Sequence, residues 1–170
     1  NQGSAFLATA KKKRAAQADA EVRVRRVRAS DMANVIALDA HVTKLPKPDY
    51  WTDVFRRYGK QRLHERFFLV AEDCTDRTNP RLLGFIIGEV RAWEFGSTPC
   101  GWVFALSVDP DARLHGSGRA LLDAISAEFK KAGVGKMRTM VERNTMLQML
   151  FFRSEGMMAG PYLQLEKDLD

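Results

Sequence analysis

The stretch that decides the fold is "SVDPDARLHGSGRALL", residues 107–122. A strongly apolar run ends at Pro110, two glycines follow at positions 116 and 118, and an amphipathic pattern then begins. Glycines let a ligand approach the backbone closely, and the unpaired N–H groups at a helix N-terminus favour negative charge. The stretch therefore predicts a strand, a turn that binds an anion, and a helix.

This turn differs from two familiar phosphate-binding loops. The P-loop needs a Lys-Ser or Lys-Thr pair, and none follows Gly118. The dinucleotide fingerprint G-x-G-x-x-G needs a third glycine where this chain has Leu121. Arg113 still adds a cation whose planar fork suits phosphate oxygens, and Arg119 is a second candidate. The residues alone leave two alternatives, an ordinary turn that binds nothing and a phosphate site.

Apolar patterns on both sides of the turn predict the order of the elements. Residues 21–27 alternate apolar and charged residues as a strand with one wet face does, and two helices follow, the first capped by Ser30. Three runs rich in Ile, Val and Phe, at 66–74, 81–93 and 101–108, predict an antiparallel meander. After the glycine turn we expect an amphipathic helix, a strand at 136–142, a last helix and a closing strand at 162–169. The fold class is α/β with a mixed sheet, in which the meander is followed by a βαβ unit and a final helix–strand.

Composition fits one folded domain. The chain has 170 residues, of which 45% are hydrophobic, enough for a sizeable core. No apolar run approaches the roughly 20 residues of a membrane span. Cys74 and Cys100 show neither metal-site spacing nor a CxxC pair, so we expect free thiols, no metal site and a cytoplasmic protein.

The excess positive charge lies at the beginning of the chain. Residues 1–28 contain eight Lys and Arg but two Asp and Glu, and the rest of the chain is balanced. We expect residues 1–20 to be a basic, flexible arm and residues 21–170 to be the domain. A uniformly basic nucleic-acid-binding body is not indicated, and the arm is either a solvated tail or a tether to an acidic partner or nucleic acid.

The pattern V-x-P-x-x-R-x-x-G-x-G-x-x-L, placed after a third meander strand, resembles motif A of the N-acetyltransferase superfamily known as GNAT. The resemblance extends over residues 21–168, and it implies that this segment binds acetyl-CoA. Backbone groups of the strand would pair with the pantetheine arm, at Leu106, Ser107 and Val108. The turn would cradle the pyrophosphate with Arg113, Leu114, His115, Gly116, Ser117 and Gly118, and Arg119 would lie at its edge.

The stretch "NTMLQMLFFRSEGM", residues 144–157, resembles the second signature of that family. Many members have a tyrosine near the end of this helix, and its hydroxyl is thought to protonate the departing CoA thiolate. Here Phe152 occupies that position and has no proton to give. The resemblance still assigns Asn144 and Phe152 to the cofactor site, but it leaves the general acid open. Helical spacing predicts a core-facing side with Leu147, Leu150, Phe151 and Ser154.

The general base is also open. GNAT bases are commonly a glutamate on a central strand, and the strand 101–108 has none. The candidates are Glu89 on the preceding strand and Glu142 at the end of the later one, with Glu94 in a turn. Each also fits a surface or paired carboxylate.

The resemblance implies an acetyl-CoA-dependent N-acetyltransferase that moves the acetyl group directly to an amine. Segment 43–66, the variable acceptor region of the family, mixes aromatic and basic residues and does not resemble an acidic trap for polyamines. It favours a peptide or protein amine over a small-molecule amine. The alternative is a non-catalytic acyl-CoA-binding regulatory module on the same fold. Acetyl-CoA and an amine are the expected partners, a homodimer is allowed, and neither a membrane nor nucleic acid is expected.

Overall fold

The fold is built on a five-stranded sheet with the order β1-β2-β3-β4-β5. The computed structural model describes residues 21–61 and 65–169. Each of the first four strands is antiparallel to the next, and β5 is parallel to β4. The predicted meander and mixed sheet are thereby confirmed. The strands are β1 (Val22–Arg26), β2 (Arg66–Asp73), β3 (Arg81–Arg91), β4 (Cys100–Val108) and β5 (Met137–Arg138).

The described residues contain four α-helices. Glycine at position 116 and the apolar stripe behind it predict the third of them, which the structure confirms, and this helix supplies the βαβ crossover between β4 and β5. The second helix continues as a π-helical segment, Phe55–Lys60. The helices are α1 (Met32–Thr43), α2 (Pro48–Val54), α3 (Ser117–Lys131) and α4 (Met146–Ser154).

Alternation along the central strands gives the sheet two apolar faces, as expected of strands buried on both sides. On one face α1, α2 and the π-helical segment pack on Phe68, Val70, Phe85 and Ile87. On the other face the buried stripe of α3 packs, and the ring of its Phe129 lies 5.5 Å edge-on from that of Phe67. These two layers hold the ends of β3 and β4 in place, where the candidate site lies.

Close packing of α3 on the sheet depends on Gly101 in β4. A Cβ at this position would lie 2.4 Å from Cδ2 of Phe129, and the ring is itself buried. We expect Gly101→Ala to lower the free energy of unfolding by about 1–3 kcal/mol, because overpacking displaces the ring or the strand. Urea unfolding measures this, with Gly135→Ala as the control, since a Cβ there would meet nothing within 4 Å. Equal stability of the two variants would contradict the close approach.

The predicted N-cap at Ser30 is wrong. A 3₁₀ turn, Ala29–Asp31, precedes α1, and Oδ2 of Asp31 accepts the backbone N–H of Arg28 at 2.7 Å. The same carboxylate accepts Nη1 and Nη2 of Arg25 at 2.8 and 2.9 Å. Asp31 is thus the N-cap residue of α1 by position, although its side chain makes no capping bond to that helix and instead closes the preceding 3₁₀ turn.

Part of the basic N-terminal region is used inside the fold. Arg25 also binds Oε2 of Glu72 at 2.8 Å, and Arg23 contacts Oε1 of the same carboxylate. These arginines of β1 are thus committed to ion pairs with β2. The arm predicted for residues 1–20 lies outside the described residues.

Residues from Met140 onward form a second compact unit, separate from the unit that ends at Thr139. The closing strand predicted at 162–169 is wrong: the described residues after Gly160 form no strand. Leu163 and Leu165 are 81% and 91% exposed, so these alternating leucine side chains do not pack against other described residues. A strand requires a ladder of backbone hydrogen bonds, and β5 itself is paired over two residues only.

The predicted core-facing side of α4 is also wrong at three positions, Leu147, Leu150 and Ser154. Leu147 and Leu150 are 70% and 58% exposed, whereas Phe152, on the neighbouring side, is buried. Phe151 packs edge-on against Phe152 with 5.2 Å between ring centroids. In this helix Phe152 is buried and Phe151 is half-buried, whereas the two leucines and Ser154 are exposed.

Cys74 and Cys100 are both buried free thiols. In the part of the chain that the structure describes, no helix has both the length and the apolar character needed to cross a bilayer. Within the same residues, no three His, Cys, Asp or Glu side chains are grouped to hold a metal ion.

Candidate functional site

The edge of β4 that faces β5 is only partly paired. Gly101 and Trp102 pair with β5, and Oγ1 of Thr139 donates to the carbonyl of Val103 at 2.9 Å. Beyond that point, residues 104–108 have no strand partner on this side among the residues described. Those of their N–H and C=O groups that point away from β3 are available to an extended ligand, which would add to the sheet as a strand does. The predicted pantetheine-binding residues, Leu106, Ser107 and Val108, lie on this free edge.

β4 leads directly into the glycine turn. Asp109 caps the 3₁₀ turn Pro110–His115 by accepting the N–H of Asp111 at 3.0 Å. Gly116 then has φ +71°, a left-handed conformation that glycine adopts most readily, and α3 begins at the next residue. A Cβ at Gly116 would meet nothing within 4 Å, so the space beside the turn is open. The turn thus presents its backbone to that space at a helix N-terminus.

Three buried polar atoms around this turn have no hydrogen-bond partner among the described residues: Oγ of Ser107, Nδ1 of His115 and Oγ of Ser117. Ser117 is fully buried. An unsatisfied buried polar group costs about 1–3 kcal/mol, so three of them at one turn indicate that a ligand completes their bonding. The first turn of α3 contains no acidic residue. These features fit the phosphate of a bound cofactor.

The other predicted cofactor residues divide between the two units. Arg113 and Leu114 lie in the 3₁₀ turn, and Gly118 and Arg119 lie in the first turn of α3. Nε of Arg119 lies 4.0 Å from a carboxylate oxygen of Asp123, one turn along the helix.

Asn144 and Phe152 belong to the second unit. The N-cap of α4 is Thr145 rather than Asn144, and its side chain makes no capping bond. Phe152 is buried.

A row of polar and aromatic side chains crosses the sheet near the bulge in β4. Arg66 on β2 pairs in register with Glu89 on β3, which pairs with Trp102 on β4. We call this group the Glu89 row, and it consists of Tyr58, Arg66, Glu89, Arg91, Trp102 and Phe104. Sequence reasoning found Glu89 as a candidate but not its neighbours, which come together only through the strand register.

Both carboxylate oxygens of Glu89 have partners. Oε2 accepts the hydroxyl of Tyr58 at 3.1 Å and lies 3.8 Å from Nε of Arg66, and Oε1 lies 3.4 Å from Nε of Arg91. The side chain of Glu89 is 19% exposed, so solvent still reaches it. Burial, followed by the nearby charge of Glu89, raises the pKa of Tyr58. Tyr58 is therefore a protonated donor that fixes the carboxylate.

Aromatic rings line the row. Phe104 packs edge-on against Tyr58 at 5.0 Å and is 38% exposed. The guanidinium of Arg66 lies 5.3 Å from the ring centroid of Tyr58, and that of Arg91 lies 5.1 Å from the ring centroid of Trp102. Phe104 is the extra residue of the bulge, where the register changes between Ile87 and Gly88. The row is thus adjacent to the beginning of the free edge of β4.

The remaining carboxylate candidates lie elsewhere. Glu142 is exposed in the second unit and is 3.4 Å from the hydroxyl of Thr145 through Oε2. Glu94, in the turn after β3, is half exposed and lies 4.0 Å from Nη1 of Arg91. In the first unit, the glycine turn and the Glu89 row lie at opposite ends of the free edge of β4.

Comparison with known proteins agrees with this geometry. The family model described as "Acetyltransferase (GNAT) family" matches residues 32–153. No curated protein sequence matches the chain significantly. Among solved structures, the aminoglycoside N-acetyltransferase AAC(6')-Iy in complex with CoA is similar with a TM-score of 0.74 and 13% identity, over 88% of this chain and 96% of that one.

Two further structures cover 88% of this chain and 100% of their own. One is an acetyltransferase from Trypanosoma brucei, with a TM-score of 0.65 and 22% identity. The other is a transcriptional regulator from Bacillus halodurans C-125, with a TM-score of 0.71 and 14% identity. At these identities the similarity establishes the fold.

Proposed function

Because the chain belongs to the acetyltransferase (GNAT) family, we propose that this N-acetyltransferase takes acetyl-CoA at the glycine turn and along the free edge of β4, and accepts an amine at the Glu89 row. The observation that carries the proposal is the group of three unsatisfied buried polar atoms at a glycine turn that opens a helix. When bound, acetyl-CoA would supply an acetyl group activated as a thioester.

The cofactor end is formed largely by backbone groups. Residues 104–108 offer unpaired N–H and C=O groups to the pantetheine amides, and the first N–H groups of α3 face the phosphates. Ser117, at the first position of α3, would donate its hydroxyl to a phosphate oxygen, and Arg113 would add charge. These assignments need no carboxylate at the turn, in agreement with the composition of the first turn of α3.

The acceptor end supplies a base. An aliphatic amine is mostly protonated at neutral pH and must lose a proton before its nitrogen can attack a carbonyl carbon. We assign this role to Glu89, acting directly or through one water, with Tyr58 holding the carboxylate in place. Glu142 and Glu94 are the alternatives. Glu89 is preferred because its side chain is mostly buried and both of its carboxylate oxygens have partners, whereas Glu94 is half exposed and Glu142 is exposed.

One pair of measurements tests the proposal. Calorimetry with acetyl-CoA should show binding, and a panel of amines should release CoA at a rate that depends on enzyme concentration. Failure to bind acetyl-CoA would refute the central claim. Binding without turnover on any amine would instead favour a non-catalytic acyl-CoA-binding module, for which the phenylalanine at position 152 is the supporting observation.

A serine substitution distinguishes a cofactor cradle from an empty turn. We expect Ser117→Ala to leave the unfolding midpoint of the free protein unchanged or raised, because it removes an unsatisfied buried hydroxyl. The same change should weaken acetyl-CoA binding by about tenfold, the worth of one hydrogen bond to a charged group. Ser126→Ala is the control, since its hydroxyl already donates to the carbonyl of Leu122 at 2.7 Å. Unchanged affinity in Ser117→Ala would argue against a phosphate at this turn.

A further inference from the structure

We infer that the acceptor carries a carboxylate close to its amino group, as a free amino acid or an acidic peptide N-terminus does. The inference rests on the proposed function and concerns which amine the Glu89 row selects. Its basis is the order of charges in the row: the carboxylate of Glu89 lies between the guanidinium groups of Arg66 and Arg91.

The three charged groups form a sequence of positive, negative and positive across neighbouring strands. An ammonium group would approach Glu89, and a carboxylate a few bonds away would then fall beside one of the two arginines. Arginine binds carboxylates through its N–H groups, and Nε of each guanidinium faces Glu89. Nη1 of Arg66 also donates to the carbonyl of Arg57 at 3.5 Å, and Nη1 of Arg91 lies 4.0 Å from Glu94, so Nη2 of each arginine is the nitrogen that has no partner among the described residues. The row is therefore complementary to a zwitterion.

The surrounding charges do not turn the row into an acidic surface. Arg57, whose guanidinium lies 5.5 Å from the ring centroid of Tyr58, pairs with Asp53 at 2.8 Å. Glu94 lies 4.0 Å from Arg91 and is the only further carboxylate within 4.0 Å of the row's arginines among the described residues. A polycation would thus meet three arginines around one shielded carboxylate. This arrangement disfavours aminoglycosides, although several structures with the same fold are aminoglycoside acetyltransferases.

The aromatic residues fix how such an acceptor would lie. Phe104 is 38% exposed and projects from the bulge, next to the strand edge assigned to the acetyl donor. Trp102 carries Arg91 across its ring face. Together they give an apolar contact for the body of the acceptor while its two charged groups face Glu89 and the arginines. A zwitterion with an apolar side chain matches the aromatic residues, Glu89 and the arginines at the same time.

Matched acceptors test the inference. Phenylalanine is compared with phenylalaninamide, and the dipeptide Asp-Phe-amide with Asn-Phe-amide and Lys-Phe-amide, with kanamycin as the polycation. CoA release gives kcat/KM, and calorimetry with the CoA-bound protein gives the affinity of each amine without turnover. In one of these two sets, we expect the acceptor that bears a carboxylate to have a kcat/KM about ten- to a hundredfold higher than its neutral partner, the usual effect of a charge pair with arginine. The first pair and the peptide set show whether that carboxylate is the α-carboxylate or a side chain.

Variants locate the preference. Arg91→Gln and Arg66→Gln should each remove most of the discrimination through a higher KM for the carboxylate acceptor, with the KM for acetyl-CoA unchanged. Arg91→Lys should retain part of it, because the charge remains but the fork is lost. Arg77→Gln, at an exposed arginine in the β2–β3 turn, is the matched control. Unfolding midpoints show whether each variant is folded.

The outcomes separate this inference from the proposed function. Equal kcat/KM and equal affinity for the charged and neutral partners, or a preference for kanamycin, would overturn the inference while acetyl transfer stands. Discrimination that survives in both arginine variants would also overturn it. Absence of acetyl-CoA binding would refute the proposed function, and calorimetry of the same amines with the free protein would then show whether the row selects a carboxylate.

Discussion

Replacing Glu89 with glutamine is expected to lower kcat for acetyl transfer by about a hundred- to ten-thousandfold, the usual contribution of a general base. Glutamine keeps the shape of the side chain and a hydrogen-bond acceptor for Tyr58, so the fold should be retained. The KM for acetyl-CoA should change little, because the residues proposed to bind its phosphates lie at the other end of the free edge of β4. Initial rates of CoA release measure the effect.

The pH dependence gives this experiment a second readout. In Glu89→Gln the loss should become smaller as the pH rises toward the pKa of the acceptor amine, since solvent then supplies the neutral nucleophile. Glu94→Gln is the control and should retain near-normal kcat. A full rate in Glu89→Gln at neutral pH would assign the base elsewhere, and Glu142→Gln would be the next variant to measure.

The second large effect is on stability. We expect Arg25→Ala to lower the free energy of unfolding by about 3–5 kcal/mol, because it leaves two shielded carboxylates, Asp31 and Glu72, without their shared cation. The Arg25 side chain is 17% exposed, whereas that of Arg23, which also contacts Glu72, is 58% exposed. Arg23→Ala is therefore the control and should lower the free energy of unfolding far less. Similar losses in both variants would contradict a central role for Arg25.

The same cluster predicts how stability depends on pH. Burial alone would raise the pKa values of Asp31 and Glu72, but hydrogen bonds, led by those from Arg25, outweigh it and hold both below their usual range. Carboxylates with a lowered pKa in the folded state stabilise it above their unfolded pKa, and the contribution is lost as the pH falls through the folded values. In Arg25→Ala the two carboxylates lack this cation, so their protonation stabilises the folded state instead. The difference in free energy of unfolding between the unchanged protein and Arg25→Ala should thus become smaller from pH 7 to pH 4, as urea unfolding would measure.

Local patterns predicted much of the first unit. The Ile- and Val-rich runs gave the three meander strands, and the glycines after Pro110 located the start of α3. The prediction of a closing strand was wrong because an alternation of leucines is compatible with a strand but does not provide one with a partner. A strand forms only where another strand edge is available to pair with it. The cap at Ser30 failed because a 3₁₀ turn, closed by the bond from Arg28 to Asp31, places Ser30 before the start of α1.

The Glu89 row shows why the site was harder to predict than the fold. The hairpin closes with Asp73 opposite Arg81, and regular pairing from there would put Arg66 opposite Gly88. A register shift between Ala71 and Glu72 moves the pairing by one residue and brings Glu89 to Arg66. A bulge depends on packing against both faces of the sheet, so no local pattern specifies it. Hairpin counting would nonetheless have placed the two residues within one position of each other.

The bulge at Phe104 has an evolutionary consequence. It divides β4 into a part paired on both sides, whose side chains we propose to contact the acceptor, and a part with a free edge, whose backbone groups we propose to bind the cofactor. Side chains in the first part can be exchanged while the backbone of the second keeps its course. The substrate specificity of such a protein can therefore change through substitutions in one half of the strand, while selection keeps the other half constant.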